Sequence, residues 1–258
     1  MAGIEWSREE EKILTKDYPW YDKEVTKLLP RRSWDAIKLR AVKLGLQFDH
    51  PCTAQSVGRL LDETPEAYYW NGFLLADGSF QERGTIRLCL GKADVEQVKR
   101  FGSFIGKDKI NDRSEIGRGI IVQSRRVSFP LMERFDYKRN KTKDPPTGWD
   151  YKNVPTDLLV SHLIGFIDGD GSIIRQLGRK AERYRIHIRI DTCWCEWLKG
   201  YIEEIRGWTG FSFGTPYLGC DNRTECCIGS HKTVVFLRDF AKQHRLPVLE
   251  RKWSKVCD

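Results

Sequence analysis

A duplicated segment constrains this chain more than any other feature. Residues 68–80, YYWNGFLLADGSF, and residues 161–173, SHLIGFIDGDGSI, superpose without gaps, with identical pairs at Gly72/Gly165, Phe73/Phe166, Asp77/Asp170, Gly78/Gly171 and Ser79/Ser172. The repeat continues beyond each copy. A period-two apolar stretch at 86–90 returns at 186–190, and a helical pattern at 98–106 returns at 198–207, each 100 residues later. Two related halves are therefore expected, 64–137 and 156–258, joined by a linker at 138–155 whose proline, glycine and charge suit a connection.

Helix starts precede both copies, at Thr64-Pro65-Glu66 and Pro155-Thr156-Asp157, so each copy is predicted to end a helix. Gly72 with Ala76, and Gly165 with Gly169, lie four apart on one face, which lets the two helices cross almost backbone to backbone. Gly78 and Gly171 then serve as C′ residues. This arrangement sets Asp77 beside Asp170 at two helix C-termini, where the helix dipole disfavours negative charge. Two carboxylates in such a place call for a cation, and hard oxygen ligands with room for water and phosphate suit Mg²⁺.

Both copies resemble the motif of the LAGLIDADG homing endonucleases, read as WNGFLLADG at 70–78 and LIGFIDGDG at 163–171. The resemblance covers roughly residues 64–258 and implies an α+β fold: a pseudo-two-fold duplicated α-β-β-α-β-β-α domain whose antiparallel sheets bind DNA. It implies that Asp77 and Asp170, at the eighth motif position, hold Mg²⁺, with Mn²⁺ or Ca²⁺ able to substitute for binding. The first copy departs at the sixth position, Leu75 where the second has Asp168. The resemblance also implies a basic residue near each metal, nominating Lys232 and, in the first half, Arg126. Asp191, and Gly91 or Lys92 in the first half, fall near the place of a water-orienting residue. The activity implied is site-specific hydrolysis of both strands of duplex DNA by a monomer, leaving short 3′ overhangs. An intron or mobile-element setting, prokaryotic or phage-encoded, is implied with it. Alternatives within the fold are an RNA-binding intron maturase and a nicking or non-catalytic DNA-binding protein.

Strand alternation supplies candidate DNA contacts. In 185–190 the isoleucines share one face, and Arg185, His187 and Arg189 share the other; in the first half Ile86, Leu88 and Leu90 point inward while Thr85, Arg87 and Cys89 point out. A sheet with a cationic face fits the major groove, where Arg reaches guanine edges or phosphates. The resemblance adds the strand after each motif: Gln81 and Arg83 in one half, Ile174 and Gln176 in the other.

Residues 1–47 read as a separate all-α, three-helix domain, with 48–63 as a linker. Ser7-Arg8-Glu9-Glu10 is a capping box, a second helix is expected over about 23–29, and Ser33 caps a third that carries Trp34, Ile37, Ala41 and Leu44 as a stripe and ends at Gly45. Trp6, Trp20 and Trp34 are expected to build its core. The pattern resembles a SANT/Myb-like helix-turn-helix domain, with Arg31, Arg32, Lys38, Arg40 and Lys43 placed to meet DNA.

Bulk properties agree. The 44 Lys and Arg against 36 Asp and Glu leave a net charge of +8, which favours a polyanionic partner such as double-stranded DNA. No apolar run approaches membrane-spanning length and no signal peptide is evident, so an intracellular, cytoplasmic protein without a membrane partner is expected. The eight cysteines then read as reduced thiols, and Cys193-Trp194-Cys195 and Cys226-Cys227 lack the spacing of zinc fingers.

Overall fold

The computed structural model describes residues 5–46, 57–81, 84–107, 111–113, 117–177, 182–219, 221 and 223–256. At the N-terminus the Ser7 N–H donates to the Glu10 carboxylate at 2.9 Å and the Glu10 N–H to Ser7 Oγ at 3.2 Å, so the reciprocal cap opens α1, Arg8–Tyr21. A 3-10 turn leads into α2, Val25–Leu28. The Ala36 N–H donates to Ser33 Oγ to start α3, Trp34–Lys43, and Gly45 at φ 66° follows its end. The centre of this module is Leu14, Tyr18, Val25, Leu29, Ile37, Ala41 and Leu46. Trp6 and Trp34 pack on its margin, and the Trp20 side chain lies outside the described ones. Aliphatic residues and Tyr18 fill this centre, with Trp6 and Trp34 only partly buried against it.

The rest of the chain repeats one order of elements. The first half runs α4 (Pro65–Asp77), β1 (Gly78–Gln81), β2 (Thr85–Leu90), α5 (Val95–Phe104), β3 (Asn111–Arg113), β4 (Gly117–Gln123) and α6 (Arg125–Arg134). The second runs α7 (Thr156–Asp170), β5 (Gly171–Leu177), β6 (Glu182–Asp191), α8 (Cys195–Thr209), β7 (Tyr217–Leu218), β8 (Arg223–Ile228) and α9 (His231–Gln243), followed by a short α10, Glu250–Trp253. Each half forms a four-stranded antiparallel sheet, ordered β1-β2-β4-β3 and β5-β6-β8-β7. Register repeats too: Gly78 faces Leu88, and Gly171 faces Ile188.

One hydrophobic core spans both halves, and α4 and α7 lie at its centre, buried on nearly every side. Their glycines set the spacing. A Cβ on Gly72 would lie 1.9 Å from the His162 carbonyl oxygen, one on Gly165 1.9 Å from that of Tyr69, and one on Gly169 2.1 Å from Ala76 Cβ. The expected backbone crossing is thereby realised. Gly78 and Gly171 depart from expectation: they cap their helices in extended conformation, at φ −78° and −91°, instead of left-handed. Glycine is required there for space, since a Cβ would approach the carbonyl oxygens of Leu74 and Ile167 at 2.5 and 2.6 Å. Residues 57–61, assigned by composition to a linker, carry Val57 and Leu60 into the same core.

Candidate active site

Because α4 and α7 end at the same level, Asp77 and Asp170 emerge together. Gly169, just before Asp170, packs against Ala76, just before Asp77. Both side chains reach solvent, yet the protein behind them withholds water from much of each carboxyl. Desolvation raises the Asp77 carboxyl, and it pushes that of Asp170 up to about 6, with the charge of Asp77 adding to the shift. On the Asp170 side a cleft of about 370 Å³ opens, lined by Lys141, Thr142, Arg189, Asp191 and Arg223 among others.

Two lysines meet these helix ends. Lys141 Nζ donates to the carbonyls of Leu74 (3.1 Å), Leu75 (2.6 Å) and Ala76 at the end of α4. Lys252 Nζ donates to those of Ile167 (3.1 Å), Asp168 (2.5 Å), Gly169 (3.4 Å) and Gly171 (2.7 Å) at the end of α7. Each ammonium thus satisfies carbonyls that a helix end leaves open and offsets the negative pole beside an aspartate. Burial brings the Lys141 amine down to about 8, against the pull of Asp170 and Asp77, and lowers that of Lys252.

The two lysine-bearing segments cross. Residues 137–143 follow α6 of the first half, yet the Trp194 indole of the second half donates to the carbonyls of Lys141 and Thr142, both at 3.1 Å, and Lys143 pairs with Asp191. Residues 246–256 follow α9 of the second half but dock on the first. Arg251 forks onto Asp94 at 2.6 and 2.8 Å, Gln97 donates to the Pro247 carbonyl at 2.5 Å, and Arg100 to that of Val248 at 3.0 Å.

Asp168, fully buried, completes the second clasp. It accepts from the Trp253 indole at 2.7 Å, the Leu249 N–H at 2.9 Å and the Tyr69 hydroxyl at 2.8 Å. Burial pushes its carboxyl up to about 6, against the pull of those donors. The departure at the sixth motif position has its reason here. Leu75 has no such segment to hold, since Trp194 grips the corresponding one from outside.

Asp191 lines the cleft with Asp170, and its pairing with Lys143 holds its carboxyl down at about 2. Its counterpart in the first half, Gly91, brings no carboxylate. Lys232 and Arg126 are not brought to the aspartates. Arg126 lies in the first turn of α6, beside the β1–β2 hairpin, where the Ser124 N–H donates to the Gly84 carbonyl. Lys232, exposed, begins α9 next to His231, whose ring contacts Tyr184 near the hairpin end of β6. The lysines that do arrive follow the last long helix of each half, whereas the expectation put them before it.

The alternation of the strands holds. Ile86, Leu88, Ile186 and Ile188 are buried, while Arg87, Arg185 and His187 are half-buried and Arg189, Gln81, Ile174 and Gln176 exposed on the opposite faces. Arg83 lies outside the described residues. The second sheet is less purely cationic than its sequence suggested, because Glu225 of β8 accepts from Arg189 at 2.6 Å and from Tyr217 at 3.0 Å. In the N-terminal module Arg32 is spent on Glu10 at 2.7 Å and Arg40 on Glu11, which bind α1 to the third-helix region; Arg31, Lys38 and Lys43 are exposed.

Removing one charge from the crowded helix ends has a measurable expectation. An acid whose folded pKa lies above its unfolded value costs stability once ionised, and stability recovers as pH falls through about 6 toward 4. In chelator, Asp170→Asn is therefore expected to melt above the wild type at pH 7.5, with the gap closing near pH 4; a lower melting temperature at pH 7.5 would contradict this.

Comparison with known proteins agrees with the architecture. No family model matches the chain, and no curated protein sequence matches it. Among solved structures, the LAGLIDADG meganuclease I-AabMI bound to uncleaved DNA superposes with a TM-score of 0.51 at 12% identity, over 75% of this chain and 87% of that one. I-SmaMI bound to uncleaveable DNA gives 0.49 at 13% identity over 75% and 86%, and I-LtrWI bound to its target DNA 0.49 at 11% over 75% and 88%. Among the described residues, no helix is long and apolar enough to cross a membrane. With two α-β-β-α-β-β-α halves packed through their motif helices, the chain has the fold of the LAGLIDADG meganucleases.

Proposed function

We propose that the protein is a divalent-metal-dependent endonuclease that cuts both strands of a specific duplex DNA. The observation that carries this reading is the emergence of Asp77 and Asp170 side by side at two crossed helix ends, each with a raised carboxyl pKa. Such a pair is relieved by protons or by a cation, and at neutral pH a hard divalent ion is the available choice. Asp77 and Asp170 would hold it, leaving positions for water and phosphate oxygens. When bound, the ion supplies a nucleophilic water and neutralises charge on the leaving oxygen.

The chain's own groups divide the remaining work. Lys141 commits its hydrogens to three carbonyls, so it acts as a fixed positive charge beside the scissile phosphate and not as a base. Lys252 does the same on the other side. Asp191, anchored by Lys143 and lining the cleft, would orient water there. The outward faces of the two sheets, with Arg87, Arg185, His187 and Arg189, would lie along the major groove.

The test is selection of cleaved sites from a random duplex library in Mg²⁺, with a chelator control, followed by a supercoiled plasmid bearing the winning site. Linear product with 5′-phosphate ends supports the reading. Because Gly91 stands where the other half has Asp191, open circles are expected to accumulate before linear product. Binding without any cutting, or a preference for structured RNA over duplex DNA, would overturn it.

A further inference from the structure

We propose that the N-terminal module reads bases of its own beyond the endonuclease footprint, with Leu39 and Val42 of α3 packing on thymine methyl groups in the major groove. This rests on the duplex-DNA reading above and adds a specificity element to it. At 100° per residue, Ile37 and Ala41 turn inward to the module's core and Leu39 points directly away from them. Val42 lies beside it. Leu39 is 59% exposed and Val42 71% exposed, so neither contributes its side chain to the core.

The surroundings of this strip specify its occupant. Lys38 lies on one side of the Leu39–Val42 line and Lys43 on the other, both exposed, and Arg31 stands at the N-terminal approach to the helix. A helix is about 10–12 Å across with its side chains, and the major groove about 12 Å wide, walled on both sides by phosphates. Cations on both flanks then meet the two phosphate rows while an aliphatic centre meets base edges, where the thymine methyl is the apolar feature. Asp35, which shares the strip and pairs with Lys38 at 2.8 Å, adds an acceptor of the kind cytosine N4 prefers. Arg32 and Arg40, turned to Glu10 and Glu11, hold the scaffold and leave the strip uncovered.

The experiment uses the full chain in Ca²⁺, with a duplex selected from a random library by binding alone. Thymines outside the central footprint are replaced one at a time by deoxyuridine, which differs only in lacking the methyl group. The wild type is expected to lose about fourfold in affinity at one or two positions, the value of one buried methyl-sized group. Leu39→Ala/Val42→Ala, whose helix content is checked by circular dichroism, should lose no more for deoxyuridine than for thymine. A wild type that selects a duplex yet ignores every flanking methyl overturns this inference alone. So does a deoxyuridine penalty that persists in the double variant, or self-association of the wild type that the double variant abolishes. A protein that selects no duplex overturns the endonuclease reading and this inference with it.

Discussion

Asp170→Asn is expected to lower double-strand cleavage by on the order of 10³-fold or more while leaving the affinity for the selected duplex within a few-fold of wild type. The carboxylate is isosteric with the amide, and the helix ends keep their lysines, so the two sheets stay in place. What disappears is one of the two carboxylates proposed to hold the divalent ion. Asp77→Asn should behave alike, and quantifying cleavage and binding on the same end-labelled duplex separates the two effects. Unimpaired cutting by either variant would remove Asp77 and Asp170 from the chemistry. Taken with the stability gain expected of Asp170→Asn in chelator, the result would mark a position where the chain forgoes stability for reactivity.

A second large effect is expected from Gly165→Val. Any Cβ at this position falls 1.9 Å from the Tyr69 carbonyl oxygen, and that oxygen belongs to helix backbone that cannot swing aside. The two helices must then separate, opening the shared core along their length. Overpacking of a dense core costs about 1–3 kcal/mol and more where backbone must move, and each kcal/mol lowers the melting temperature by about 2–4 °C at this size. A fall of about 10 °C or more, or failure to accumulate as soluble protein, is anticipated in thermal melts. Gly207→Val, which meets nothing within 4 Å, is the control and should change little beyond the helix propensity. Equal melting of the two variants would show that the crossing is looser than described.

The features written locally in the sequence were legible in it. Duplication of the motif, glycines spaced for a crossing, the Asp77/Asp170 pair, and alternation in 86–90 and 186–190 all express periodicities that a reader of one chain can count. The capping box at Ser7 and the Ser33 cap were legible for the same reason. What escaped depends on contacts between residues distant in sequence. Lys141 sits in a stretch that composition reads as a connector, and its donors reach residues 65 to 67 positions earlier. Lys252 lies in a four-residue helix with no periodicity to advertise it. Asp168 and Leu75 looked like a simple mismatch until Trp253 and Trp194 were seen to approach from different directions. Glu225 reads as one more acid on a strand, and only the pairing of Arg189 with it across β6 and β8 gives it a role.

The exchange of clasps between halves carries a consequence for how such a molecule fails. Each positive charge beside an aspartate is seated by its own half and latched by the other, through Trp194 in one direction and Asp94 in the opposite. Prying the interface apart would release both latches at once, Trp194 from the Lys141 segment and Arg251 from Asp94. Under the proposed activity, neither half by itself would bring the two aspartates and their two lysines together, so a half-folded copy would lack the paired site.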